Sequence, residues 1–259
     1  MGRKIIDLSV TLESGLPSDP EMMIPHIDYV DHAAGAEQMR QFFPGVKKEQ
    51  LPGGLGWAFE FLRLTTHSGT HLDAPLHYHP TMDRGRPALT IDQVPLEWCF
   101  GDGVLLDFSR KADGEAITAA DVRQELERIG HELKPLDIVL VRTGADAWWG
   151  RAEYLVKGAG MTRESTLYLL ERGVKIVGID AWSWDRPLPF LAREFTAKGD
   201  PSIIWEAHFA GIEKGYCHME KLANLDRLPR PFGFMVACFP IKIKSASAGW
   251  VRPVALVED

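Results

Sequence analysis

The sequence predicts an α/β fold in which one mixed central β-sheet is flanked by helices, within a single domain spanning residues 1–259. Three short apolar runs in the middle of the chain, GVLLDF, IVLVR and VKIVGI, have the composition of strands that are buried on both faces. Two segments with helical periodicity lie between them. Strands that alternate with helices are typical of an α/β domain, and no low-complexity linker or internal repeat divides the chain.

The individual elements follow from local signals. Thr118 predicts a helix N-terminus, because Asp121 follows at the third helical position and apolar residues then recur on one face as far as residue 129. Thr162 predicts the start of a second helix, which ends at Gly173. The predicted strands cover residues 4–9, 57–65, 103–108, 138–142, 174–179, 232–243 and 251–257.

Two longer segments separate these elements. The proline-containing stretch from Asp185 to Trp205 predicts a long irregular loop, and such loops often act as lids over a site. The polar, glycine-rich residues 35–56 are expected to line the entrance to the same site.

Charge and cysteine content exclude several classes of protein. The 29 basic and 36 acidic residues give a net charge of −7, which argues against binding of nucleic acid or an anionic membrane surface. The three cysteines are far apart and form no CxxC pair, which excludes a disulfide scaffold and favours a reducing compartment. No apolar run approaches the roughly 18 residues of a transmembrane helix. We therefore expect a cytoplasmic protein whose partner is a small molecule.

A cluster of histidines carries the chemistry. Four of the nine histidines fall within the 13 residues from His67 to His79. His67, His71, Asp73 and His77 follow the pattern H-x3-H-x-D-x3-H, with a glycine between the first two histidines that permits a sharp turn. Imidazole and carboxylate ligands together suit Zn²⁺, Mn²⁺ or Fe²⁺ better than Ca²⁺ or Mg²⁺. The pattern therefore predicts a transition-metal site, in preference to a chance group of surface histidines.

The ligand types favour a catalytic metal. Closed structural zinc sites are usually rich in cysteine, and this segment contains none. A catalytic ion lowers the pKa of water and can polarise a substrate carbonyl. His77 is then the predicted proton carrier, because imidazole titrates near neutral pH.

Four tryptophans are candidate substrate-binding residues. Trp57 precedes the histidine cluster, Trp148 follows the strand end at residues 142–144, and Trp182 and Trp184 follow the strand end at residues 178–180. Ligands commonly bind at such loops, and the rings could stack on an aromatic or planar substrate. Packing in the core is the alternative for each ring. Alternation predicts that Trp182 and Trp184 lie on the same side of an extended segment.

The segment HSGTHLDAPLH resembles the signature of the cyclase-like metal-dependent hydrolases, which include bacterial kynurenine formamidase and isatin hydrolase. Weaker similarity covers nearly the whole chain, in DLS at residues 7–9, RTG at 142–144, GID at 178–180, LANLDRLP at 222–229 and VRPVAL at 251–256. The resemblance implies a swivelling β/β/α-like fold and hydrolysis of a C–N bond in an aryl formamide, an amide or a small lactam. It also implies that His67, His71 and Asp73 hold a first metal ion, with His77 as the proton shuttle.

The resemblance implies a second ion as well, held by Asp73, His208 and Glu220. Members similar to isatin hydrolase lack this glutamate and use one manganese, so Glu220 favours two ions, Zn²⁺ or Mn²⁺, over one. Glu206 and His218 are rival ligands nearby, and a solvated Glu220 on an amphipathic helix is the alternative.

One departure weakens a strict formamidase assignment. The formamidases have a histidine pair where this chain has His208 and Phe209. Hydrolysis of a lactone or another cyclic imide, as well as isatin hydrolysis, therefore stays open, as does a non-hydrolytic metal-dependent cyclase or dehydratase. A metal-dependent protein that binds a small molecule without catalysis is a further alternative.

The family resemblance further implies a homo-oligomer, a dimer or a tetramer, because N-terminal segments in such proteins can reach a neighbouring subunit. A serine hydrolase is disfavoured because the chain has no G-x-S-x-G motif. A nucleotide enzyme is disfavoured because the phosphate-binding glycine motifs are absent.

Overall fold

A nine-stranded mixed β-sheet organises the structure and confirms the predicted α/β class. The computed structural model describes residues 2–258. Its strands are β1 (Arg3–Asp7), β2 (His26–Val30), β3 (Phe59–Arg63), β4 (His71–Asp73), β5 (Thr81–Met82), β6 (Arg86–Pro87), β7 (Phe100–Asp107), β8 (Ala116–Ile117), β9 (Ile138–Arg142), β10 (Gly160–Met161), β11 (Ile176–Ile179), β12 (Cys217–Glu220), β13 (Phe232–Ala237), β14 (Ala248–Trp250) and β15 (Val254–Glu258). The helices are α1 (His32–Phe42), α2 (Pro75–Tyr78), α3 (Ala119–Ile129), α4 (Arg163–Glu171), α5 (Leu188–Lys198) and α6 (Glu206–Glu213).

The strands of the large sheet lie in the order β1-β15-β13-β7-β9-β11-β12-β4-β14. The four neighbouring strands β7, β9, β11 and β12 are parallel, and antiparallel strands continue the sheet on both sides. Along β9, Ile138 and Leu140 pack into one core cluster, whereas Val139 and Val141 pack into another. The sheet is therefore covered on both faces, which explains the continuous apolar runs in the sequence.

The two predicted helix N-termini are confirmed. The Thr118 hydroxyl accepts a hydrogen bond from the backbone N–H of Asp121 at 3.2 Å, and α3 ends at Gly130 in the left-handed region (φ +69°). The Thr162 hydroxyl likewise accepts from the N–H of Ser165 at 3.2 Å. Each threonine satisfies a backbone donor that a helix N-terminus leaves unpaired.

The pairing of β4 with β12 positions the histidine cluster. In this antiparallel ladder His218 lies opposite Asp73, and Glu220 lies opposite His71. Side chains two residues apart on a strand point to the same face, so the ladder brings two residues of each strand together on one face. All four residues are buried.

Several predicted boundaries are wrong. The segment from Asp185 to Trp205 is not an irregular loop, because it contains the eleven-residue helix α5. Pro187 and Pro189 lie at the N-terminus of this helix, where proline is tolerated, and were interpreted as loop signals. The predicted strand at residues 232–243 ends at Ala237.

The N-terminal region also differs from the prediction. Residues 35–56 include most of α1, and among the residues that the structure describes β3 pairs with β2 alone, a strand that was not predicted. This ribbon is largely exposed, and the five residues of β2 form too short a run to stand out in the sequence. The three cysteines are free and buried. Within residues 2–258, no helix is long and apolar enough to cross a bilayer.

Candidate metal centre

The turn before β4 directs two imidazoles at one carboxylate oxygen. Asp73 Oδ1 lies 2.8 Å from His67 Nδ1 and 3.4 Å from His71 Nε2. Gly69, between the two histidines, has a left-handed backbone (φ +63°), as the sharp turn requires. A Cβ atom at this position would lie 2.6 Å from Leu12 Cδ2, so the turn has no room for a side chain.

The other oxygen of Asp73 faces a second group of residues. Asp73 Oδ2 lies 3.1 Å from His218 Nε2, and Glu220 Oε1 lies 3.2 Å from His218 Nε2 and 3.6 Å from His208 Nε2. The ligand atoms of these four residues all lie within 4.8 Å of one another. The structure thus brings together all five residues that the sequence analysis assigned to metal ions: His67, His71, Asp73, His208 and Glu220.

Hydrogen bonds fix the orientation of two of the rings. His71 Nδ1 lies 2.8 Å from the backbone oxygen of Gly69, and His208 Nδ1 contacts the Asp185 carboxylate. Both partners are acceptors, so Nδ1 carries the proton in each neutral ring and the lone pair lies on Nε2. In both rings Nε2 faces the carboxylates. Metal-binding histidines are commonly oriented in this way.

The donor atoms fit a divalent metal ion. Among the described residues, three buried atoms of the cluster have no hydrogen-bond partner: His71 Nε2, Asp73 Oδ1 and Asp73 Oδ2. Buried polar atoms are nearly always paired, and leaving one unpaired costs about 1–3 kcal/mol. A cation that accepts nitrogen and oxygen ligands would satisfy all three.

The charges of the cluster agree with this. Burial would raise the pKa of Asp73, but the neighbouring charges of His77, His71 and His67 hold it well below its ordinary value. Burial would also raise the pKa of Glu220, but the interaction with His218 lowers it to about 2. Burial would lower the pKa of His218, but the hydrogen bonds and charges of Asp73 and Glu220 raise it to about 9. Two buried anions therefore face the space between the rings.

His77 lies at the edge of this cluster. Its ring centroid is 4.2 Å from that of His67 and 5.1 Å from that of Trp205, and its side chain is 25% exposed. Burial lowers the pKa of His77 below its ordinary value, although the charge on Asp73 opposes the shift. His77 Nε2 lies 3.8 Å from Asp73 Oδ2, farther than the nitrogens of His67, His71 and His218 lie from this carboxylate. The ring is therefore neutral near pH 7 and can accept a proton.

An apolar cavity of about 390 Å³ opens onto the cluster. A cleft of similar volume beside Asp107 and Arg128 contains none of the clustered residues. The residues that line the cavity are Met23, His67, His71, His77, Trp182, Ser183, Leu188, Ile204, Trp205, His208, Phe209, Glu220 and Lys221. Its volume is within the range of small-molecule sites.

Only one of the four predicted tryptophans reaches this cavity. Trp182 lines it and donates a hydrogen bond from Nε1 to Asp19 Oδ1 at 2.9 Å. Trp184 is fully buried and donates to the Thr166 hydroxyl at 3.0 Å, so its prediction as a substrate-binding residue is contradicted. The chain bends between residues 180 and 184, so the alternation expected of an extended segment does not apply.

The other two tryptophans lie elsewhere. Trp148 packs against the core with the Lys157 ammonium 4.1 Å from its ring centroid. Trp57 lies beside the N-terminal ribbon and donates a hydrogen bond to Gln38. Neither lines the cavity within this chain.

The two alternative metal ligands, Glu206 and His218, occupy different places in the structure. Glu206 accepts a hydrogen bond from the backbone N–H of Arg163 and does not join the cluster, whereas His218 does. His79 contacts the Thr81 hydroxyl and lies outside the cluster. The alternative for Glu220, a solvated position on a helix, is wrong, because Glu220 is buried in β12.

Two further residues of the site, Trp205 and Lys221, were not predicted. Trp205 has a left-handed backbone (φ +54°) and stacks on the His208 ring at 4.1 Å. Lys221, also left-handed (φ +58°), contacts Asp19 and donates a hydrogen bond to the backbone oxygen of His67 at 2.8 Å. Lys221 adjoins Glu220 and Trp205 lies three residues before His208, so nearness to the predicted ligands was the signal available.

The chain is similar to proteins of one family. A family model described as putative cyclase matches residues 6–186. A kynurenine formamidase from Erythrobacter litoralis is 28% identical over 256 residues, which cover 97% of this chain and 93% of the relative. An isatin hydrolase from Roseibium aggregatum is 27% identical over 210 residues, which cover 78% of this chain and 75% of the relative.

Solved structures show the same fold. A crystal structure of an isatin hydrolase bound to the product analogue thioisatinate superposes with a TM-score of 0.76 at 20% identity. The match covers 99% of this chain and 93% of the other.

Proposed function

This chain belongs to the putative cyclase family, and on that premise we propose that it is a metal-dependent hydrolase that cleaves a C–N bond in an aryl formamide, an amide or a small lactam. The observation that carries the proposal is the apolar cavity that ends on a buried group of imidazoles and carboxylates. The names of the two relatives support the reaction class, since one is a kynurenine formamidase and the other an isatin hydrolase.

Each group of residues has a role in this reaction. His67, His71 and Asp73 would hold one ion, and Asp73, His208 and Glu220 would hold a second, as Zn²⁺ or Mn²⁺. A bound divalent ion lowers the pKa of water and polarises a carbonyl oxygen.

The protein's own proton carrier is His77. Its neutral ring faces the cavity, so it can accept a proton from the water that attacks the carbonyl carbon. It can then donate that proton to the leaving nitrogen, which completes C–N cleavage. Because both His67 and Trp205 contact the ring, its position is restricted.

Apolar and aromatic side chains favour a planar substrate. Trp182, Trp205 and Phe209 line the cavity, and Phe209 lies edge-on to Trp205 with ring centroids 5.5 Å apart. Phe209 thus supplies apolar surface at the position where the formamidases have a second histidine. An aryl group can stack against these rings while its carbonyl oxygen is directed to the place where the clustered residues would hold a metal ion.

The assay compares formanilide, isatin and an aryl lactone as substrates for protein supplied with Zn²⁺ or Mn²⁺. We expect hydrolysis of formanilide or isatin that a chelator abolishes. His77→Ala should lower kcat by about 100-fold or more with unchanged metal content, whereas His79→Ala is the matched control and should keep its activity. Full activity in His77→Ala, or no hydrolysis by metal-loaded protein, would contradict the proposal.

We further propose that the protein is a cytoplasmic homo-oligomer, a dimer or a tetramer. An isolated two-stranded ribbon is marginally stable, and the ribbon of β2 and β3, together with α1, exposes several large apolar side chains. These are Tyr29, Phe42, Phe43, Phe61 and Leu62. A surface of this kind is typical of a protein–protein contact, and light scattering on the purified protein tests it.

A further inference from the structure

His218 lies among the metal-binding candidates, although the family resemblance assigns it no role. It precedes Glu220 by two residues on β12, so both side chains point to the same face of the sheet. Its side chain is fully buried, and its Nε2 lies 3.1 Å from Asp73 Oδ2 and 3.2 Å from Glu220 Oε1. Two carboxylate oxygens therefore surround one nitrogen of this ring.

Two tyrosines determine which nitrogen of His218 carries the proton. The Tyr78 hydroxyl donates to the backbone oxygen of Asp73 at 3.3 Å, and the Tyr216 hydroxyl donates to that of Ala207 at 2.9 Å. Each hydroxyl has only one proton, so towards His218 Nδ1, at 3.1 and 3.4 Å, both can only accept. The Nδ1 atom therefore carries a proton, and a neutral His218 has its lone pair on Nε2, directed at the carboxylates.

The distances are close to those of a tetrahedral set of ligands. Zinc–ligand bonds of about 2.0–2.2 Å place neighbouring ligand atoms of a regular tetrahedron about 3.3–3.6 Å apart. The separation from His208 Nε2 to Glu220 Oε1 is 3.6 Å, whereas those from His218 Nε2 to Asp73 Oδ2 and to Glu220 Oε1, 3.1 and 3.2 Å, are slightly shorter than this range. All four ligand atoms lie within 4.8 Å of one another, so small shifts of the side chains would place them around one ion.

We propose that His218 is a fourth protein ligand, so that Asp73, His208, His218 and Glu220 hold one divalent ion in a closed site. This inference rests on the proposed function, because it assumes that the cluster binds metal. His208 and Glu220 line the cavity, as His67 and His71 do, whereas His218 and Asp73 do not. His67 and His71 face the other oxygen of Asp73. With four protein ligands the proposed ion would have no open position, so a substrate in the cavity would meet an ion held by His67, His71 and Asp73.

The test measures metal content and affinity by competition with a chromophoric chelator, using Zn²⁺ and Co²⁺. Replacement of His218 (His218→Ala) should lower the affinity of one ion per chain by at least about 10-fold, since even indirect partners of a ligand contribute that much. His79→Ala, which removes a neighbouring imidazole outside the cluster, should bind as the wild type does. Thermal unfolding of both variants shows whether they are folded.

A second measurement needs no variant. Four-coordinate Co²⁺ absorbs strongly in the visible range, and azide binds to a metal that has an open coordination position. In wild-type protein we expect the bands of one Co²⁺ ion to be intense and unchanged by azide. This result decides the question even if His218→Ala does not fold.

The outcomes separate the two proposals. Unchanged metal affinity in folded His218→Ala, or azide-sensitive bands for every bound Co²⁺, would overturn the closed site and leave the hydrolase proposal standing. In that case His218 donates a hydrogen bond from Nε2 to Glu220. A wild-type protein that binds no divalent ion would overturn both.

Discussion

The buried ion pair of Lys221 and Asp19 allows one prediction to be developed in depth. The two side chains are only 1% and 2% exposed, and the Lys221 ammonium also donates to the backbone oxygen of His67. The substitution Lys221→Met keeps the length of the side chain but removes its charge. It leaves the Asp19 carboxylate buried with Trp182 Nε1 as its remaining side-chain donor.

The expected loss follows from this burial. Removing one partner of a buried pair costs about 3–5 kcal/mol, because the other charge stays out of water. For a chain of this size each kcal/mol lowers Tm by about 2–4 °C, so Lys221→Met should unfold roughly 6–20 °C earlier than the wild type. Calorimetry in the presence of a chelator measures this without a contribution from metal binding.

Two controls make the result specific. Lys134→Met removes an ammonium that lies 2.8 Å from Asp102 but is 58% exposed, and it should cost no more than about 1 kcal/mol. The double variant Lys221→Met/Asp19→Asn removes both charges and should lose less than the sum of the single variants. Equal losses in Lys221→Met and Lys134→Met, or additive losses in the double variant, would refute the reasoning.

Three further predictions follow from the site and its supports. Trp205→Ala removes the ring that stacks on His208 and should raise KM for an aryl substrate about 10-fold. Trp205→Phe keeps an aromatic ring and should keep most of the substrate binding. Equal KM values for Trp205→Ala and the wild type would contradict the stacking role. Gly69→Ala forces a side chain into a left-handed turn beside Leu12 and should cost at least about 1–2 kcal/mol and lower the metal content; wild-type stability and metal content would contradict this. Burial raises the pKa of Asp180 from 3.8 to about 7, although the hydrogen bonds that this carboxyl accepts lower it. Between these two pH values the folded protein therefore keeps a proton on Asp180 that the unfolded chain has lost. Wild-type stability relative to Asp180→Asn should therefore be greatest below pH 3.8 and fall by the order of 4 kcal/mol as the pH rises to about 7; urea unfolding across this range, with no such trend, would contradict the shift.

The local part of the site could be predicted from the sequence. His67, His71 and Asp73 lie within seven residues, so a glycine turn and a short strand suffice to bring them together. The buried strands were predictable for a similar reason, because apolar runs such as that of β9 report burial on both faces.

The role of His218 could not be predicted in this way. Its place beside Asp73 depends on the register between β4 and β12, which are far apart in the chain. Local composition does not specify such a register. His218 and Glu206 were therefore equal candidates in the sequence, and only the strand pairing separates them.

The prediction for Trp184 was wrong for a different reason. The interpretation of Trp184 assumed an extended backbone, whereas the chain bends on both sides of Ser183 and directs this ring into the core. Trp205 was overlooked because its position depends on a left-handed backbone, which is uncommon for a bulky residue and leaves no mark on the hydropathy pattern.

Asp73 has one oxygen towards His67 and His71 and the other towards His218. With an ion at each oxygen, the two occupancies become thermodynamically linked, and each ion changes the affinity for the other by the same factor. Two cations that share one carboxylate repel each other and divide its charge, so the linkage should be negative. Such a chain would release its first ion at a higher concentration of free metal than its second, so its metal content would respond to metal supply in two steps.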